Sequence, residues 1–135
     1  MRARAGRIGD GAVVVFDGAT TRSSAFRAEA LKAFRRDLKD RGPNYENFEA
    51  RIWIEGYRRG RRLDADNVAK ACLDALTGLV WRDDRQVTRL VVEKPAGGGE
   101  RIVVAARPTT LAEACDDLAA VLAAAGLERP AGPVP

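Results

Sequence analysis

The alternation and spacing of apolar residues divide the chain into strands and helices. Residues 12–16, AVVVF, form a short apolar run next to turn residues, which predicts a buried strand. A helix follows, capped by Ser23 or Ser24 and running to residue 39, with Ala30, Leu31, Phe34 and Leu38 on one face. Glycine and proline in RGPN end it. In NFEARIWIEGY, Phe48, Ala50, Ile52 and Ile54 alternate with Glu49, Arg51, Trp53 and Glu55, the period of a half-buried strand.

A second helix spans about residues 66–79. Val68, Cys72, Ala75, Leu76 and Leu79 line its apolar face, and Asn67, Lys70, Asp74 and Thr77 its polar face. Residues 87–108 read as a hairpin, two β-rich runs joined by a glycine-rich loop. A last helix occupies about residues 109–126, with Thr110 and Glu113 at capping-box spacing and Gly126 at its stop. The first ten residues hold no apolar run and are expected to be flexible; residues 128–135 are expected to be a disordered tail. The order β-α-β-α-β-β-α gives an α+β fold, a small mixed or antiparallel sheet with helices packed on it. Residues 1–127 make one domain, with the C-terminal helix appended to it.

Composition narrows the chemistry. A chain of 135 residues, 46% hydrophobic and 31% charged, is an ordinary globular domain. It has no apolar run long enough for a bilayer and no signal-peptide pattern, so a cytoplasmic location is expected. Cys72 and Cys115 fall on apolar helix faces and read as buried, reduced thiols. The chain has no histidine, which excludes Ser-His-Asp and Cys-His catalysis. A net charge of +4, carried mostly by arginine, favours a polyanionic partner.

The candidate chemistry lies in RRLDADNVAKACLDALTGLVWRDDRQ, residues 61–86. Asp64 and Asp66 are one residue apart, and Lys70 follows Asp66 by one helical turn. Asp83 and Asp84 come after the helix, just before the next strand. If that strand runs beside the Asp64 segment, all of these carboxylates close on one pocket. Such an oxygen-rich set suits Mg²⁺, with Mn²⁺ able to substitute, rather than zinc. A metal there would activate water against a phosphate, Lys70 would stabilise developing charge, and Arg58, Arg59, Arg61 and Arg62 would hold DNA phosphates. Each piece also has a plainer reading: Asp66 as a helix cap, Asp66 and Lys70 as a surface pair, RDDRQ as a polar turn.

The whole segment resembles the signature of the RusA-type Holliday junction resolvases. That family shows D-x-D-N, a lysine four residues after the second aspartate, an L/F-D-A-L run and D-D-x-Q-V. Here these are Asp64, Asp66, Asn67 and Lys70, then Leu73, Asp74, Ala75 and Leu76, then Asp83, Asp84, Gln86 and Val87. The resemblance implies a Mg²⁺-dependent endodeoxyribonuclease, a homodimer that cuts paired strands of four-way junction DNA in recombination and repair. It implies Asp64, Asp66 and Asp84 as the essential carboxylates, with Asp83 as a further candidate ligand, and Lys70 as the catalytic lysine. Where family members often carry a segment rich in proline and asparagine, this chain has FDGATTRSS. The alternative is a relative that binds branched DNA without cleaving it; a third reading is a phosphohydrolase acting on nucleotides. For the C-terminal helix three roles stand open: covering the sheet, reinforcing a dimer, or binding a partner.

Overall fold

The computed structural model describes residues 1–18, 23–39, 42–56, 63–96, 99–110 and 112–128. Five strands form one mixed sheet: β1 (Arg2–Ile8), β2 (Gly11–Asp17), β3 (Phe48–Glu55), β4 (Val87–Glu93) and β5 (Arg101–Pro108), in the order β1-β2-β5-β3-β4. The helices are α1 (Ser23–Asp37), α2 (Ala65–Leu76) and α3 (Ala112–Ala124), with a short 3₁₀ turn at Asp84–Gln86. The α+β class expected from the pattern is the observed one. Among the described residues no helix is long and apolar enough to cross a membrane.

The inward residues of the central strands are Val14 and Phe16 on β2, Ala50, Ile52 and Ile54 on β3, and Ile102, Val104 and Ala106 on β5. All are almost fully buried. On the same face α1 contributes Phe26, Ala30, Ala33 and Phe34, and α2 contributes Val68, Cys72, Ala75 and Leu76. Phe16 meets Phe26 with ring centroids 5.0 Å apart. Cys72 sits in this core, and burial pushes its thiol up to about 12, so at neutral pH it behaves as a small apolar group. Among the described residues the other face of the sheet carries no packed helix layer. Val13, Trp53 and Ala105 are half-buried there around a cleft of about 300 Å³.

Two expectations are corrected. The first residues are not loose; they form β1, paired with β2 along its whole length. Ala3 is the only deeply buried side chain of β1, so the strand depends on backbone bonding. The Arg36 guanidinium donates to the Ala3 carbonyl at 2.7 Å, and the Ala5 amide donates to Asp37 at 2.9 Å.

The last two strands are not a hairpin. β3 lies between them, parallel to β4 and antiparallel to β5. Seven residues, 94–100, connect strands two spacings apart, and a span of about 10 Å is well within reach of that length.

Among the described residues α3 forms no packed layer on the sheet. Leu118 and Val121 are 59% and 64% exposed, while α1 and α2 supply the packed layer. The side chains of residues 111–117, Cys115 and Glu113 included, lie outside the described residues, as does the tail from residue 129.

Two outcomes are expected. Phe16→Ala empties a site at the β2–α1 contact and should cost about 3–5 kcal/mol in urea unfolding. Asp37 is held down to about 2, from an ordinary 3.8, first by its bond from Arg36 and then by the Ala5 amide. A carboxyl depressed in the folded state adds stability that is present above its unfolded value and disappears as pH falls through the folded one. The Asp37 carboxyl should therefore titrate near pH 2 by NMR, and protection of the Ala5 amide should fall with it.

Candidate active site

Both acidic pairs are set by local chain geometry. Asp64 is the N-cap residue of α2, in extended conformation, yet its carboxylate makes no capping bond. Its Oδ2 instead accepts from the Asn67 side chain at 3.4 Å. Asp66 occupies the first turn, where the positive end of the helix favours a carboxylate. Asp64, Asp66, Asn67 and Lys70 are all exposed. Among the described residues no ion pair joins Lys70 to Asp66, so the plain surface-pair reading does not hold and the ammonium stands available. The apolar side of α2 is buried in the core and therefore turns this polar row outward.

Leu63, just before this site, is 7% exposed, and its carbonyl accepts from the Lys94 ammonium at 2.6 Å. Lys94 follows β4 directly. It ties the entry to α2 to the C-terminal end of the β3–β4 pair. Nothing in the sequence marks this lysine; its partner is a backbone carbonyl 31 residues away.

The second acidic pair has divided roles. Asp83 caps the 3₁₀ turn: Oδ1 accepts from the Arg85 amide at 2.9 Å and Oδ2 from the Arg85 guanidinium at 3.1 Å. The backbone bond, followed by the guanidinium, holds the Asp83 carboxyl below its usual range. Gln86 completes a capping box. Both Asp83 oxygens are thus occupied, and Asp84 is the exposed carboxylate of the turn. Trp81 anchors the turn from below, fully buried against Phe48 and donating its indole N–H to Thr77 at 3.2 Å.

The two pairs do not meet within one chain. β3 and β4 are parallel, so α2 must run back along the sheet to connect them. Asp64 and Asp66 lie at its start, by Lys94 and the ends of both strands. Asp83 and Asp84 lie past its end, by the beginnings of the strands, where Gln86 bonds to the carbonyls of Asn44 and Glu46. A helix of 12 residues at about 1.5 Å each puts roughly 18 Å between them. Among the described residues no three acidic or thiol side chains converge closely enough to hold an ion. The arginines Arg58, Arg59, Arg61 and Arg62 lie outside the described residues.

Comparison with known families settles the kinship. The family described as endodeoxyribonuclease RusA matches residues 23–107. The chain belongs to the RusA endodeoxyribonuclease family. The match opens at α1, ends within β5 and takes in both acidic pairs, whereas the β1–β2 hairpin and α3 lie outside it. No curated protein matches the chain. The RusA match takes in the whole acidic segment and bears out the resemblance read from it.

Lys94→Met removes the tie to Leu63 from a RusA-type site while keeping the side chain's bulk. It should lower strand cleavage at least tenfold and change DNA affinity less than twofold, measured by nicking rate and by fluorescence anisotropy.

Proposed function

We propose that the protein is a Mg²⁺-dependent endonuclease that resolves four-way DNA junctions by paired cuts, acting in the cytoplasm as a homodimer in recombination and repair. Membership of an endodeoxyribonuclease family, with every acidic signature position and Lys70 present, is the observation that carries this reading. The intact set of carboxylates also favours cleavage over binding alone.

The separation within one chain, about 18 Å along α2, gives the dimer a chemical purpose. Each protomer offers Asp64, Asp66 and Lys70 at one end of α2 and Asp84 at the other. A two-fold axis that brings one protomer's α2 start against its partner's acidic turn completes two identical sites. The donor set so assembled is all carboxylate oxygen and free of the Asp83 cap, which fits a hard divalent cation. When bound, that cation would polarise the scissile phosphate and lower the pKa of an attacking water. Asp64 and Asp66 hold their positions at the helix start through Asn67 and the Lys94 tie. Lys70, one turn further along the exposed row, supplies positive charge where the phosphoryl oxygens gain negative charge. Two symmetric sites match a junction that needs two symmetric cuts.

Complementation tests the shared site. Asp66→Asn and Asp84→Asn should each abolish cutting of an immobile four-way junction while leaving it bound. Refolded together, they should regain cutting of one strand in Mg²⁺, because one of the two composite sites in the mixed dimer is intact. An inactive mixture that still forms mixed dimers would place all the carboxylates of a site on one protomer. Normal cutting by either variant alone would remove that residue from the metal site.

A further inference from the structure

The acidic turn carries a second feature, which the metal site does not use. Tyr45 is 75% exposed, yet the backbone on either side of it is fixed. The Asn44 amide donates to the Val80 carbonyl at 2.9 Å. The Gln86 side-chain amide donates to the carbonyls of Asn44 and Glu46, each at 2.8 Å. On its other side Gln86 accepts from the amides of Arg82 at 2.8 Å and Asp83 at 3.1 Å. One side chain thus staples the residues flanking Tyr45 to the turn that holds Asp84.

The ring itself is backed by a cation. The Arg82 guanidinium lies 4.9 Å from the ring centroid and also donates to the tyrosine hydroxyl. The guanidinium sits toward the hydroxyl end of the ring, and at 75% exposure the ring is open to solvent. Holding an aromatic ring and an arginine in one arrangement at the surface costs side-chain entropy and returns little burial. What the arrangement does provide is a pre-set flat surface, polarised by a cation and adjacent to a carboxylate of the proposed site. The ligand that fits such a surface is a planar π-system on a negatively charged backbone.

We propose that Tyr45, backed by Arg82, is a stacking platform for a single unstacked nucleobase at the branch point of the DNA substrate. The inference rests on the endonuclease reading and adds a means of selecting structure. Bases inside a continuous duplex already have both faces covered by their neighbours and cannot use the platform. Bases at a branch point have a face to offer, so the ring rewards branched DNA over linear. Arg82, bonded to the hydroxyl, holds the ring's orientation and adds positive charge near the strand. Tyr45 lies outside the signature segment, residues 61–86, and Arg82 falls within it at a position that the signature does not specify.

The test compares a four-way junction with a linear duplex of the same sequence, both bound in the presence of a chelator, by fluorescence anisotropy. A 2-aminopurine at the branch point reports stacking on the ring. Wild-type protein should quench the reporter. Tyr45→Ala should lose the quenching and about tenfold in junction affinity, with duplex affinity unchanged, while Tyr45→Phe keeps both. Unchanged thermal unfolding is expected of both variants, since the side chain is exposed. Wild-type affinity of Tyr45→Ala for the junction, or equal losses on junction and duplex, would overturn the platform while leaving the endonuclease reading intact. Failure of the wild-type protein to bind the junction at all would remove both.

Discussion

The parallel pairing of β3 with β4 is the constraint from which most of this molecule follows. Two parallel neighbours cannot be joined by a tight turn, so the chain must leave the end of β3 and return to the beginning of β4. α2 makes that return, and its apolar stripe closes the core over the sheet. The same crossover decides where the chemistry lies. The residues that begin the return, Asp64 and Asp66, stand at one end of the strands, and those that complete it, Asp83 and Asp84, at the other. A segment continuous in sequence is thereby split into two acidic groups at opposite ends of the crossover.

Much of the fold was legible in the pattern because large apolar residues at regular spacing leave few alternatives. Phe48, Ala50, Ile52 and Ile54 could only be one face of a strand, and Val68, Cys72, Ala75 and Leu76 only one face of a helix. What escaped was structure held by the backbone. β1 buries only Ala3 deeply and owes its place to the β2 ladder and to Arg36 and Asp37, partners more than 30 residues distant. The placement of β3 between β4 and β5 was equally hidden. A glycine-rich connection of moderate length reads the same whether its strands are neighbours or flank a third.

At the site, residue types were legible and directions were not. The spacing of Asp66 and Lys70 follows from helix geometry alone, and the structure keeps both exposed along with Asp64 at the cap. Whether Asp84 joins them depends on strand direction, about which spacing is silent. Asp83 and Asp84 look alike in sequence, yet Arg85 takes both oxygens of the first and leaves the second exposed. Lys94 and Tyr45 carried no signal, because their importance lies in contacts with the carbonyl of Leu63 and with Arg82.

One rim of the sheet is β1, an edge strand whose side chains include Arg2, Arg4 and Arg7, all exposed. An edge strand is a template on which an extended chain can add a strand, and here Arg36 and Asp37 already occupy the Ala3 carbonyl and the Ala5 amide. Three guanidinium groups along the edge make stacking a further copy there a matter of bringing like charges together. The arginines that suit a basic protein to a polyanion therefore also discourage strand addition at the β1 edge of the sheet.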